Sequence, residues 1–194
     1  MRSLVLITAP TADPVTYIEA KAHIRIDDDN EQDLIESLIT AATQHVEQVL
    51  SRQLVTATWK LTLDCFPSGG AIDLPRPPGA SVVSVVYTDA AGAAQTLSAS
   101  SYQLDTSSTP ARLALAPGSS WPTVGSGYLG AVQITYTAGY GAAATVPKAI
   151  KQAILFLVAL WFELREPVVV GTIIAEIPFA VRALLAPYRV WGEI

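Results

Sequence analysis

The apolar residues of this chain change period twice, and that double change limits most narrowly what the chain can fold into. From about Asp29 to Arg52, the residues Leu34, Ile35, Leu38, Ile39, Ala42, Val46, Val49 and Leu50 recur at helical spacing, a stripe about six turns long. From Thr56 the period falls to two: Trp59, Leu61 and Leu63 alternate with Thr58, Lys60, Thr62 and Asp64, as on a half-buried strand. Helical spacing returns at Val146 and continues through Ile150, Ile154, Leu157, Val158, Trp161 and Leu164. A helix-period face does not fit a pleated sheet, so a β-rich segment must stand between two helical ones.

Finer punctuation fills in this outline. Residues 14–23, PVTYIEAKAH, read as a short helix started by Pro14, ahead of the long one. Short strands are expected at 71–74, 81–88, 96–97, 102–104, 111–115 and 131–137, with DAAGAA at 89–94 as a hairpin loop. Together they predict one compact antiparallel sheet of roughly five to seven strands. Pro147 suits the first position of the third helix and Pro167 ends it, while a fourth runs from Pro178 to Leu185 and is closed by Pro187. The expected class is α+β: a helical bundle of two N-terminal and two C-terminal helices with an inserted antiparallel β domain. The boundaries are 1–54 for the N-terminal helices, 55–140 for the β-rich insertion and 141–194 for the C-terminal helices and tail.

The stretch HIRIDDDNEQDLIESLI, residues 23–39, raises the question of a metal. A calcium loop needs glycine at its sixth position and a bidentate glutamate at its twelfth. Counted from Asp27 these fall on Gln32 and Leu38; counted from Asp28 they fall on Asp33 and Ile39. The acidic run fits a helix start instead, with Asp27, Asp28 or Asp29 as cap and Glu31 three residues after Asp28 as in a capping box. No metal or other cofactor is expected.

Of the 194 residues, 51% are hydrophobic and only 15% charged, which is more apolar surface than a monomer needs and which a homo-oligomer would cover. The net charge of -5, with no basic run, argues against gripping a phosphate backbone, because counterion release needs clustered Lys and Arg. Cys65 is the single cysteine, so an intrachain disulfide and a CxxC site are excluded and a cytosolic life is the default. MRSLVLITAP has too short an apolar core for a secretory signal, and Ile154–Phe162 falls short of the roughly twenty residues that span a bilayer.

Several motifs reduce to structure. Gly125-Ser126-Gly127-Tyr128-Leu129-Gly130 matches GxGxxG, yet a strand, AVQITYT, follows where a dinucleotide site needs a helix, so a loop between strands is expected. Pro75-Arg76-Pro77-Pro78 contains PxxP but lies between two strands and reads as a rigid connector. His23 and His45 sit on or beside the N-terminal helices, Cys65 ends a strand, and neither GxSxG nor HExxH occurs. No catalytic residue is assigned, and the chain is not expected to be an enzyme.

Two segments stand out. PVVVGTIIAEIP, 167–178, joins two helices yet is almost wholly apolar. It reads either as an extra strand or tucked loop, or as a contact with a neighbouring copy through Val168, Val169, Val170, Ile173 and Ile174. The tail carries Tyr188, Arg189 and Trp191, residue types enriched in binding hot spots.

In order along the chain, HIRIDDDNEQDLIESLITAATQHVEQVLSRQL, IDLPRPPGASVVSVVYTDAAG with SYQLD after it, YTAGYG, VPKAIKQAI and EIPFAVRALLAPYRVW resemble the head-tail connector proteins of long-tailed phages and gene transfer agents. The resemblance spans roughly residues 14–191. It implies a structural adaptor in the virion or a virus-like particle, made in the bacterial cytoplasm, with about twelve copies forming a ring beneath the portal. On that reading its partners are itself, the portal protein and a tail-proximal stopper or tail component; DNA passes through without specific binding, and no membrane is involved. The resemblance also implies portal docking by the C-terminal segment, here Pro187, Tyr188, Arg189, Val190 and Trp191. The competing expectation is a monomeric β-rich module that binds a peptide or sugar through Trp59, Trp121 and nearby tyrosines.

Overall fold

The structure, a computed structural model, describes residues 2–79, 81–164 and 179–190. The chain divides into two compact units. One comprises residues 2–10 and Thr56–Tyr140; the other comprises Thr11–Val55 and the described residues from Gly141 onward.

The first unit is all β apart from one short 3₁₀ turn. Its strands are β1 (Arg2–Thr8), β2 (Ala57–Leu63), β3 (Ile72–Leu74), β4 (Ser81–Thr88), β5 (Ala94–Thr96), β6 (Tyr102–Asp105), β7 (Ala111–Leu115) and β8 (Val132–Ala138). They form two sheets instead of the single one expected: a five-stranded sheet ordered β1-β2-β8-β4-β5 and a three-stranded one ordered β3-β7-β6. Every pairing is antiparallel. The inner faces share one core, to which β2 gives Leu61, β3 gives Ile72 and Leu74, β4 gives Val85, β7 gives Leu113, and β8 gives Val132, Ile134 and Tyr136. Alternation along β8 shows why: these residues and Ala138 point inward while Gln133, Thr135 and Thr137 take the other face. Strand β1 was not expected at all. Its register sets Leu4 against Leu61 and Leu6 against Trp59, but as an edge strand it is mostly exposed and shows no burial alternation.

The second unit contains, among the described residues, α1 (Tyr17–Ile24), α2 (Gln32–Leu50), α3 (Lys148–Glu163) and α4 (Phe179–Leu185). Helix α2 packs on α1 and α3, and α3 also packs on α1 and α4. Along α2 the buried line is Ile35, Ile39, Ala42, Thr43, Val46 and Leu50. Leu34, which the spacing placed in the stripe, is exposed instead. Helix α3 answers with Ile150, Ala153, Ile154, Leu157 and Val158. The histidines join this packing: His23 lies 5.7 Å from the Phe156 ring and His45 6.0 Å from that of Trp161.

The helix starts differ from expectation. Helix α1 begins after Thr16, not at Pro14, and carries the capping box: the Glu19 N–H donates to Thr16 Oγ1 at 3.2 Å and the Thr16 N–H to Glu19 Oε2 at 2.8 Å. At α2 the cap position is Glu31, with no side-chain cap bond. The aspartates before it are engaged elsewhere. Asp28 accepts from the Asn30 N–H at 3.1 Å, and Asp29 accepts from Tyr17 Oη and Lys21 Nζ, both at 2.6 Å. The acidic cluster therefore ties the α1–α2 connection back onto α1.

Candidate functional site

The C-terminal segment is anchored at the end of α2, and the anchor is built from local backbone geometry upward. Ser51 takes the left-handed conformation at φ 53°, which ends the helix and directs the chain away. Glu47, one turn back, accepts from the Leu54 N–H at 2.9 Å and from Gln53 Nε2 at 2.7 Å. Gln53 is only 1% exposed, so this bond satisfies an amide that would otherwise be costly to bury. The bend thus holds Leu50 and Arg52 in fixed positions.

Those two residues hold the chain's other end. After α4 a 3₁₀ turn, Ala186–Tyr188, carries Pro187 in its first turn. Arg52 Nε donates to the Tyr188 carbonyl oxygen. The Val190 N–H donates to the Leu50 carbonyl at 3.1 Å, filling one of the acceptors that a helix leaves open at its C-terminus. Beside this junction lies an open groove of about 510 Å³ lined by Gln48, Val49, Leu50, Ser51, Arg182, Leu185, Ala186 and Arg189.

Of the five residues assigned to portal docking, Pro187, Tyr188, Arg189 and Val190 therefore lie together, with Pro187 and Arg189 exposed and Tyr188 and Val190 half-buried. Trp191 lies outside the described residues, as do Val168, Val169, Val170, Ile173 and Ile174. Arg52, Glu47 and Leu50 escaped sequence reasoning. Arg52 and Tyr188 are 136 residues apart, and nothing local in either stretch signals the pairing.

The other motifs are absorbed by the β unit. The GxGxxG stretch is the loop before β8: the Gly125 N–H donates to the Thr88 carbonyl at 3.0 Å, and the Gly130 N–H to Asp64 Oδ1 at 2.8 Å. A Cβ on Gly125 would stand 2.6 Å from the Asp89 carbonyl oxygen and 2.7 Å from the Tyr128 ring, so that glycine serves close packing. The Pro75–Pro78 stretch is the connector between β3 and β4, held by the Tyr136 hydroxyl, which donates to the Pro75 carbonyl at 2.8 Å. Trp121 stacks on Phe66 at 4.6 Å, Phe66 meets Tyr87 edge-on at 6.0 Å, and the Arg76 guanidinium lies 5.3 Å over Trp59. These aromatic faces are occupied within the unit, which disfavours the peptide- or sugar-binding reading.

Among the described residues, shifted carboxylates owe their shifts to neighbouring hydrogen-bond donors. Asp29 is held below the ordinary carboxylate range by the hydrogen bond from Lys21 and then that from Tyr17. The same bond pushes the Tyr17 phenol up to about 12. Asp105 is lowered by hydrogen bonds from Ser107 and Arg112, and all of these groups sit on the surface. Among the described residues no group of three or more His, Cys, Asp or Glu side chains is placed to hold a metal ion. No helix there is long and apolar enough to cross a membrane.

The phage gp6-like head-tail connector protein family matches residues 16–111. Three solved structures are similar over nearly the whole chain. The neck of an empty gene transfer agent particle, computed with C6 symmetry, contains a chain 26% identical, with a TM-score of 0.81 and coverage of 99% of this chain and 97% of that one. A chain in the virion of the native gene transfer agent particle is 25% identical at TM-score 0.79, covering 98% and 97%. One in the native neck computed with C12 symmetry is 28% identical at TM-score 0.74, covering 99% and 97%. No curated protein matches the sequence. Together these matches make the chain a structural connector at the junction between head and tail.

Proposed function

We propose that this protein is the adaptor of a phage or gene transfer agent neck: a ring of about twelve copies beneath the portal that links head to tail around the DNA channel. The observation that carries this reading is the end-to-end match with chains from gene transfer agent necks, covering 99% of this chain and 97% of each of two neck chains. The C6 and C12 symmetry of those necks supports a cyclic assembly here. Its place is the head-tail interface of the particle. The protein acts by binding and not by catalysis, and needs no cofactor.

On this reading the helices form a bundle, two from residues 11–55 and two from 141–194, and the β-rich segment 56–140, which β1 joins from the N-terminal side of the sequence, runs between them along the chain. The exposed Pro187 and Arg189, with Tyr188, Val190 and Trp191, dock on the portal, and the Arg52 and Leu50 bonds hold Tyr188 and Val190 in place. Val168, Val169, Val170, Ile173 and Ile174 cover a neighbouring copy. A tail-proximal stopper or tail component takes the remaining face. The net charge of -5 lets DNA slide past without specific binding.

The test is the mass of the portal ring from the same gene cluster, by light scattering or native mass spectrometry, with and without this protein and with a version truncated before Pro187. A gain of about one adaptor per portal subunit that is lost on truncation is the expected result. An intact portal ring that gains no mass refutes the adaptor reading.

A further inference from the structure

The five-stranded sheet has two open edges. At one, β1 gives its inner side to β2 and, among the described residues, pairs with no strand on its outer side. Val5, Leu6 and Ile7 on it are 46%, 42% and 50% exposed. At the other, β5 pairs only with residues 86–88 of β4, so residues 81–84, which pair with β8 on one side, have no strand on the side facing away from β8 among the described residues. Val83, at the irregularity between Val82 and Ser84, is 62% exposed.

Monomeric proteins blunt such edges with lysines, prolines, bulges or a covering loop. Each edge here has one irregularity in its pairing, yet neither carries the stronger devices. Between Arg2 and Thr8 there is no charge and no proline, and the same holds for SVVSVVYT across β4. Arg2 itself is engaged, donating through Nη2 to the Asp73 carbonyl at 2.6 Å. Both edges are therefore competent to accept another strand, and both carry apolar side chains that lack cover.

The two edges are unlike each other and lie on opposite sides of one sheet, three strand spacings or roughly 14 Å apart. A closed ring needs one patch on each flank, different and complementary, so that each copy meets its two neighbours by the same contact. A strand from a foreign protein would satisfy one edge and leave the second open, whereas a neighbouring copy satisfies both. Resting on the ring reading, we infer that β1 of one copy pairs backbone to backbone with residues 81–84 of the next, so that sheets of adjacent subunits join at β1 and β4. The overlap supplies up to about four hydrogen bonds and brings Val5 against Val83.

The experiment uses the full chain with the exposed Cys65 replaced by serine, assembled on the portal ring. Cysteines at both edges, Val5→Cys with Val83→Cys, are treated with a short bis-maleimide. The expected result is a ladder of covalent oligomers from the double variant and none from either single variant. Val5→Lys and Val83→Lys are each expected to weaken assembly at least tenfold while the far-ultraviolet spectrum and melting midpoint stay those of the folded chain. Rings that form normally with both lysine variants, or without a ladder, overturn the edge pairing alone. A ladder from Val5→Cys by itself indicates a two-fold contact and also overturns it, as does a lysine variant that assembles normally but fails to attach tails. If the unmodified protein forms no ring with the portal, the edge pairing and the ring reading fall together.

Discussion

Arg52 Nε donates to the carbonyl oxygen of Tyr188, joining the bend after α2 to the turn after α4 across 136 residues. With the Val190 N–H on the Leu50 carbonyl at 3.1 Å, this bond converts a chain end into a fixed surface. Replacing Arg52 by Met keeps an apolar stem and removes the donor, leaving a part-buried carbonyl without its partner, at a cost of about 1–2 kcal/mol. Amide hydrogen exchange at residues 186–190 is expected to accelerate while exchange in the middle of α2 is unchanged. Unaltered exchange at 186–190 would show that the bond does not anchor the segment.

The buried hydroxyl of Tyr136 gives the second prediction. It reaches the Pro75 carbonyl at 2.8 Å, and burial pushes the phenol well above its ordinary value, so it remains a donor throughout the working range. Tyr136→Phe keeps the ring and removes that one bond, and is expected to lower stability to urea by about 1–2 kcal/mol. An unchanged midpoint would mean that the Pro75–Pro78 connector is held by packing alone.

The acidic cluster predicts a pH dependence with a definite sign. Asp29 has a folded-state value below the ordinary 3.8, so its contribution is present above that value and is lost as the pH falls through the lower folded one. Tyr17 is raised from 10.0 to about 12, so its contribution is present below 10.0 and lost as the pH rises towards about 12. Thermal melts of Asp29→Asn are expected to show a shallower acid limb than the unmodified protein, and Tyr17→Phe a shallower alkaline one. Parallel curves for all three proteins would contradict this.

The glycines before β8 separate two kinds of constraint. Gly125→Ala forces a Cβ to within 2.6 Å of the Asp89 carbonyl and 2.7 Å of the Tyr128 ring, and is expected to cost about 1–3 kcal/mol. Gly127→Ala meets nothing within 4 Å and bears only the left-handed penalty at φ 83°, about 1–2 kcal/mol. Denaturant midpoints of the two variants should therefore rank with Gly125→Ala lower. The reverse order would show that backbone conformation, and not close packing, governs this loop.

What the sequence by itself determined is the identity of most elements, because each is decided by residues a few places apart. The two-residue period of Trp59, Leu61 and Leu63 and the helical recurrence of Ile150, Ile154 and Leu157 survive as β2 and α3. The hairpin loop was legible for the same reason: Asp89 accepts from the Ala91 and Ala93 N–H groups, both at 2.9 Å, within one turn of chain. The ordered resemblance reached the family on similar grounds, since it rests on which residues follow which. Only the tertiary structure decided the rest. Strand β1 shows no burial period because an edge strand with two exposed faces has no buried side to write one, and the division into two sheets depends on which strands find each other, not on any strand's own residues. The aspartates before α2 went to Lys21 and Tyr17 of α1 because a carboxylate goes to the donors the fold brings near it. Arg52 lies beside Tyr188 for the same reason: contacts between residues far apart in sequence exist only once α2, α3 and α4 have packed.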